Sequence, residues 1–301
     1  MRRSWKKYYS GYSESWRTQG KCVPELPEAE TIVRGLRTKI VGESIRRVEV
    51  LHIDILRQPK SIFSKRVRLR RIDGIERRGK NVLLVLNEGW VIKVNLGMTG
   101  RLLPFSRPPR GIERPTHPAV RIRFLSGALL VFDDTRRFGS VEALSGAEWN
   151  ERSNLMGPEP LGPSYQVSGL IDGLHRSSSP IRSWLLDQKR IAGIGNIYAN
   201  EALYLAGIHP QRQSCSVTRN EAKALYRSLR SVLGDAIKAG GTTIQDYRNT
   251  DGDKGEYAGQ LGIYGREGKP CNRCTSKVKR VVFGNRSAFY CPSCQPFRSN
   301  K

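Results

Sequence analysis

Cys271-Asn272-Arg273-Cys274 and Cys291-Pro292-Ser293-Cys294 are two Cys-x-x-Cys knuckles with 16 residues between them. Each knuckle can grip a metal from a tight turn, and four thiolates complete a tetrahedral zinc site. The intervening stretch reads as a hairpin. Val278 and Val281-Val282-Phe283 are β-type, Gly284-Asn285 is a turn signal, and Ala288-Phe289-Tyr290 resumes the strand pattern. Two disulfides of a secreted module are the alternative. A long basic chain with no signal-peptide pattern disfavours them. Four thiolates leave no position for water, so one structural Zn2+ is expected on Cys271, Cys274, Cys291 and Cys294. Cys22 and Cys215 lack evident partners and read as free thiols.

Outward from this module the chain is strongly basic. Its 301 residues hold 52 Lys+Arg against 27 Asp+Glu, a net charge of +25. Residues 1–23 carry six of the basic side chains and one acid, so the remainder still has a net +20. An excess dispersed along the whole chain points to a polyanion, and nucleic acid fits best. An anionic membrane surface fits less well, because no long basic amphipathic helix is present. No apolar run reaches the ~18–20 residues that span a bilayer.

Between the linker Gly157-Pro158-Glu159-Pro160-Leu161-Gly162-Pro163 and the knuckles the pattern is helical. Ser179-Pro180 starts one helix, with Ile181, Trp184 and Leu185 at helical spacing. Thr218-x-x-Glu221 is a capping box before Leu225, Leu229, Val232, Leu233 and Ile237, and Gly240-Gly241 stops that helix. From Ile45 to Val141 short β runs take over: Ile45–Val50, Val67–Ile72, Val82–Leu86, Val91–Val94, Val120–Phe124 and Leu129–Phe132. Their interval predicts an antiparallel sandwich. Residues 104–118, rich in Pro and Arg, read as an exposed loop. Ahead of the strands, Pro27 suits a first helical turn, and Ala29, Ile32, Val33 and Leu36 form one buried stripe. Residues 1–23 show no apolar period and read as an unfolded extension.

Several short motifs occur in order: Pro24-Glu25-Leu26-Pro27-Glu28, Arg78-Gly79-Lys80, Leu96-Gly97-Met98-Thr99-Gly100, Asp134-Thr135-Arg136-Arg137-Phe138-Gly139, Gly193-Ile194-Gly195-Asn196-Ile197-Tyr198, and the four cysteines. Each alone is weak. As an ordered set they resemble the bacterial formamidopyrimidine-DNA glycosylases over almost everything after residue 23. The resemblance implies an α+β multidomain fold: a leading helix and antiparallel β-sandwich (24–152), a helix–two-turn–helix domain with a lesion-capping loop (153–262), and a β-hairpin zinc finger (263–301). It implies base-excision repair by a glycosylase and AP lyase acting on double-stranded DNA that contains oxidised purines. A monomer in the bacterial cytoplasm, held on the nucleoid by DNA, is the expected state, without membrane association.

The resemblance also implies residue roles. Pro24 is the amine nucleophile, Glu25 donates the proton that helps open the sugar, Glu28 holds the amine, and Lys80 contacts phosphate and sugar beside the lesion. Met98, Arg136 and Phe138 fill the gap left by the flipped nucleotide; an apolar wedge unstacks a base step while a guanidinium bonds the orphaned base. Asn196 and Arg286 hold phosphate, and His117 lies near the damaged strand. Two positions depart from the family pattern: Thr135 stands where proline is usual, and Ala119 where a second histidine is common. Residues 240–247 and Asp251-Gly252 resemble the loop that closes over an extruded purine. That loop and Leu26 favour oxidised purines over the oxidised pyrimidines of the sister endonuclease VIII class.

Pro24 nevertheless follows Val23. A proline inside a chain is a tertiary amide without a nucleophilic lone pair. Val23 stands where an initiator methionine is expected, which suggests a GTG start read as internal valine. A targeting peptide cleaved before Pro24 is another route. A chain that keeps its extension would be a catalytically silent, zinc-dependent lesion-DNA binder.

Overall fold

A computed structural model describes residues 23–111, 114–244 and 247–297. The readings made on residues 1–22, including Cys22, and on Gln245-Asp246 lie outside them.

Helix α1 (Leu26–Ile40) opens the described chain and buries Leu26, Ala29, Ile32, Val33, Leu36 and Ile40, the stripe its spacing dictates. Gly42 follows its end at φ +89°, a conformation that a Cβ disfavours. Eight strands then build two four-stranded antiparallel sheets. One runs β1 (Ile45–Val50), β6 (Pro118–Phe124), β7 (Leu129–Asp134), β5 (Gly100–Phe105). The other runs β2 (Ile72–Arg78), β3 (Asn81–Leu86), β4 (Trp90–Asn95), β8 (Ser140–Ser145). Their inner faces and α1 share one apolar core, including Ile32, Leu36, Val82, Leu84, Ile92, Val120, Leu130 and Phe132.

Three local expectations are corrected. Val67 ends helix α2 (Lys60–Val67), where it is buried with Phe63 four residues earlier; the strand begins only at Ile72. Strands β5 and β8 are additions to the strands expected from sequence. Pro104 lies in β5, which is tolerated because β5 is an edge strand. Ser140–Ser145 has few β-branched residues and is held by pairing along the whole of β4. The Pro/Arg-rich loop is accordingly shorter, because its ends belong to β5 and β6.

Helices α3 (Gly146–Asn154), α4 (Val167–His175), α5 (Ile181–Leu186), α6 (Asn196–Ala206) and α7 (Arg219–Lys238) follow. The Thr218/Glu221 capping box forms as read. Strands β9 (Lys279–Phe283) and β10 (Arg286–Tyr290) make the hairpin, with Gly284 and Asn285 both at positive φ as a tight turn requires. The hairpin has no core of its own: Phe289, Val278 and Cys291 belong to the same apolar cluster as α4–α7. Leu26 joins that cluster too, so the first residues of α1 touch both halves of the molecule. Among the described residues, no helix is long and apolar enough to cross a membrane.

Candidate active site and nucleic-acid interface

Pro24, Glu25 and Glu28 are all buried at the start of α1. The Glu25 carboxylate sits on the N-terminus of α6, accepting N–H bonds from Gly195 (2.8 Å), Ile197 (2.9 Å) and Tyr198 (3.4 Å). The helix dipole favours a negative group there, yet burial outweighs it. Desolvation raises the Glu25 pKa to about 7, against an opposing pull from Lys80, while Glu28 adds to the rise. The site therefore holds a carboxyl whose hold on its proton lies well above the ordinary carboxylate range.

Glu28 has no solvent exposure. One of its oxygens accepts the Glu25 N–H at 2.8 Å. The other accepts the Tyr198 hydroxyl and the Thr242 N–H, the latter at 2.7 Å. Burial also raises its pKa, against the lowering effect of these donors.

Lys80 follows Gly79 in the two-residue turn joining β2 to β3; Gly79 has φ +58°, and Arg78 pairs with Asn81 across the turn. Glu159 of the Pro-rich linker clamps this turn. It accepts the Gly79 N–H at 2.6 Å and pairs with the guanidinia of Arg77 (2.6 Å) and Arg78 (3.0 Å).

The same sheet end carries the Met98 and Phe138 loops. Asn95, paired with Asn81, accepts the Gly97 N–H at 3.1 Å and so ties the Lys80 turn to the Met98 loop. A Cβ at Gly97 would lie 2.5 Å from the backbone of Phe138 and Gly139, so the Met98 and Phe138 loops are in direct contact. Phe138 is 56% exposed, far too much for a core residue, and the Arg136 guanidinium lies 4.6 Å from its ring centre. Both loops are gathered by the buried Asp134 carboxylate, which accepts from the Thr99 hydroxyl (2.5 Å), the Arg136 N–H (3.3 Å) and the Gly139 N–H (2.9 Å). His117 is exposed beside them, its Nδ1 within 3.2 Å of the Thr135 hydroxyl.

Asn196 opens α6. Its carboxamide accepts from Arg182 at 2.6 Å and donates to the Ser287 carbonyl of the hairpin at 3.1 Å. Arg182 is 1% exposed, and its Nε has no hydrogen-bond partner among the described residues. Burial, and then the charge of Arg286, push its pKa down to about 10. Arg286 itself is exposed just past the hairpin turn. Arg182 and Arg286 thus lie beside the start of α6, whose Gly195, Ile197 and Tyr198 N–H groups are taken by the Glu25 carboxylate.

The four cysteine Sγ atoms lie within 4.8 Å of one another, with Cys271–Cys294 at 4.0 Å and Cys274–Cys291 at 3.3 Å. A tetrahedral zinc with Zn–S of about 2.3 Å needs S–S edges of about 3.8 Å, so the donor set fits. Cys215 is a free, exposed thiol, as its sequence context indicates.

Motif reading singled out residues that the structure places at these turns, loops and helix starts, but not the groups that support them. Glu159, Asp134, Asn95, Arg182 and Tyr198 were given no role. Tyr198 stood inside a quoted motif; Glu159 stood inside a stretch read only as a linker.

One chain thus assembles a β-sandwich, a set of helices and a hairpin carrying four clustered thiols. Comparison with known proteins gives the family. Residues 23–141 match the formamidopyrimidine-DNA glycosylase N-terminal domain, 156–248 its H2TH domain, and 268–296 the zinc finger found in FPG and IleRS. The chain is 40% identical over 276 residues to the formamidopyrimidine-DNA glycosylase of Chloroflexus aggregans, covering 91% of this chain and 98% of that protein. With the Roseobacter denitrificans enzyme it shares 38% over 283 residues, covering 91% and 100%. The Thermus thermophilus MutM (Fpg) crystal structure superposes with a TM-score of 0.81 at 38% identity, over 90% of this chain and 98% of that one. Lactococcus lactis Fpg bound to abasic-site DNA gives 0.83 at 30% identity, over 91% and 100%. The chain belongs to the formamidopyrimidine-DNA glycosylase family, whose members are DNA glycosylases and AP lyases.

Proposed function

We propose that this enzyme excises oxidised purines, such as 8-oxoguanine and formamidopyrimidines, from duplex DNA and then cleaves the strand, using Pro24 as nucleophile once Pro24 heads the working chain. The observation that carries this reading is the seating of Glu25 and Glu28, two buried carboxyls with raised pKa, directly beside Pro24.

The freed secondary amine attacks C1′, the C1′–base bond breaks, and the base leaves with a proton. A terminal amine has a reference pKa of about 8, against about 10.4 for lysine, so much of it is neutral at physiological pH. Glu25, protonated in part near pH 7, donates to the sugar ring oxygen as the iminium forms. The iminium acidifies the C2′ proton. Its loss expels the 3′-phosphate, and a second elimination expels the 5′-phosphate. Glu28 holds the amine.

Lys80, Asn196, Arg286 and His117 hold the backbone, while Met98, Arg136 and Phe138 occupy the vacated stack. A target base inside a duplex must first be flipped out. Zinc bound by Cys271, Cys274, Cys291 and Cys294 fixes the Arg286 hairpin and takes no part in bond breaking.

Borohydride trapping on an 8-oxoguanine duplex tests the reading. Protein beginning at Pro24 should become covalently linked to DNA, and the 301-residue form should bind without linking. Trapping by protein whose amino-terminal sequencing still shows residues 1–23 would move the nucleophile elsewhere. A parallel assay on oxidised-pyrimidine duplexes should give slower excision; faster excision would place the enzyme with endonuclease VIII.

A further inference from the structure

We propose that the outer face of the sheet β1–β6–β7–β5 is a docking surface for an acidic peptide segment of a partner protein, one that carries apolar side chains between its acids. The surface is separate from the sheet end that bears the Lys80, Met98 and Phe138 loops.

The charged half of this face follows from the two-residue period of the strands. On β6, Val120, Ile122 and Phe124 are buried in the core, which leaves Arg121 and Arg123 outward. Register then sets Arg123 directly opposite Arg47 of β1, and Arg121 opposite Glu49. Like charges in opposed positions are unfavourable in a sheet. Glu49 offsets them, pairing with Arg123 at 2.6 Å and Arg47 at 2.9 Å, with Arg121 at 3.8 Å. The neighbouring acids are spent elsewhere: Asp133 holds Arg101 and the His117 N–H, and Glu43 accepts the Ser126 hydroxyl. Arg46 and Arg114, both exposed, line the same face. Positive charge is therefore in excess where three guanidinia already share one carboxylate.

The other half is apolar. Leu129 and Val131 of β7 lie opposite Arg123 and Arg121, and with Pro108 and Pro115 they line a hollow of about 330 Å³. It adjoins a second hollow of about 300 Å³ that shares Pro108 and Arg123 and reaches Arg46 and Arg47. Guanidinia thus run along one side of a groove and aliphatic groups along the other. An extended peptide that alternates acidic and apolar residues presents the same two sides, and its carboxylates can take bidentate bonds from arginine. Nucleic acid matches less well. Phe124, the aromatic residue lining these hollows, is 1% exposed and offers no stacking platform for a base. Duplex phosphates would leave the apolar side unused. The Arg123–Leu129 row also stands six residues along the chain from Thr135, about 20 Å at ~3.4 Å per strand residue. A short duplex held at the loops therefore leaves the groove open.

The test uses the full zinc-loaded chain with a saturating short duplex present, so that the rest of the basic surface is occupied. A labelled peptide alternating aspartate and leucine should bind saturably by fluorescence anisotropy. Peptides with serine in place of every leucine, or of every aspartate, should bind at least about tenfold more weakly, since each lacks one side of the match. Arg121→Ser with Arg123→Ser, and separately Arg46→Ser with Arg47→Ser, should each weaken the aspartate–leucine peptide at least about tenfold, the loss expected for hydrogen bonds between charged groups. Duplex affinity should stay parental in both. Arg46 and Arg47 are exposed, so that variant remains informative even if the β6 pair disturbs folding. Equal binding of the aspartate–serine peptide would reduce the groove to a general cationic surface and overturn the proposal. Parental peptide affinity in the Arg46/Arg47 variant, or in a folded Arg121/Arg123 variant, would overturn it too. Displacement of the peptide by added duplex would also overturn it, and a loss of duplex affinity in the same variants would assign the face to nucleic acid.

Discussion

Gly195 and Glu25 are in contact across the two halves of the molecule. The Gly195 N–H donates to the Glu25 carboxylate at 2.8 Å, and a Cβ on Gly195 would lie 2.2 Å from the Glu25 side chain. Gly195 has φ −129°, which any residue adopts. Glycine is needed here for space alone. Gly195→Ala should therefore destabilise the fold by about 1–3 kcal/mol through overpacking and lower excision at least tenfold by displacing Glu25. Urea unfolding and single-turnover excision check the two parts. Unchanged excision would show that Glu25 tolerates displacement.

Glu25 also sets a pH dependence. Burial raises its pKa from an ordinary 4.5 to about 7. In the proposed mechanism the protonated form is the donor, so excision should decline as pH rises through about 7. The Pro24 amine must be neutral, so excision should also decline as pH falls below its reference pKa of about 8. A narrow bell results. For stability the sign is that of a raised pKa. The Glu25 contribution is complete below 4.5 and is lost as pH rises through 7. Glu25→Gln should lower excision by roughly 10²–10⁴-fold and abolish the alkaline limb. A limb that persists in Glu25→Gln would belong to another group.

How far these features were legible in the sequence depends on how local their causes are. The α1 stripe, the Thr218/Glu221 box and the Gly284-Asn285 turn are set by residues within four positions, and all three form. Strand β8 is set by its partner β4, and Ser140–Ser145 carries little β signal of its own. Val67 departs from its expected strand because its apolar neighbour, Phe63, lies four residues back on a helix and not across a sheet. In the site, Glu25, Lys80, Met98 and Arg286 occupy short motifs. Glu159, 80 residues from the turn it clamps, and Asp134, 35 residues from Thr99, act through distant partners that no window of sequence displays.

Removing zinc should disturb more than the hairpin. Phe289 and Cys291 are part of the helical core, and Asn196 and Arg182 both bond the Ser287 carbonyl. Cys291→Ser, or chelation, should lower Tm as well as weaken DNA binding at least tenfold, because a structural zinc site contributes folding energy directly. Calorimetry and a binding titration should show both losses. Metal analysis of the parent should give one zinc per chain. Loss of binding with an unchanged Tm would mean the hairpin is energetically separate.

Phosphate contacts should appear as salt dependence. Log Kd against log salt should have a steep slope, since each neutralised phosphate contributes roughly 0.9. Arg286→Ala and Lys80→Ala should each reduce the slope by about one. They should weaken lesion and undamaged duplexes alike. A slope unaffected by either change would remove that residue from the backbone contacts.

Asp134 should separate intercalation from backbone binding. Its carboxylate holds the Thr99 hydroxyl, the Arg136 N–H and the Gly139 N–H, and so fixes both loops with one group. Asparagine has nearly the same shape, but one of its two terminal atoms is a donor, which must face a donor here. At about 1.5–3 kcal/mol for a hydrogen bond to a charged group, the loops lose their shared anchor while the phosphate contacts proposed for Lys80 and Arg286 are untouched. Asp134→Asn should therefore keep the salt slope and most of the nonspecific affinity. Its excision rates for one lesion opposite each of the four bases should become more alike, because on the proposed reading Arg136 no longer presents a fixed guanidinium to the orphaned base. A variant that keeps the parental spread of rates would show that Arg136 and Phe138 are held by other contacts than Asp134.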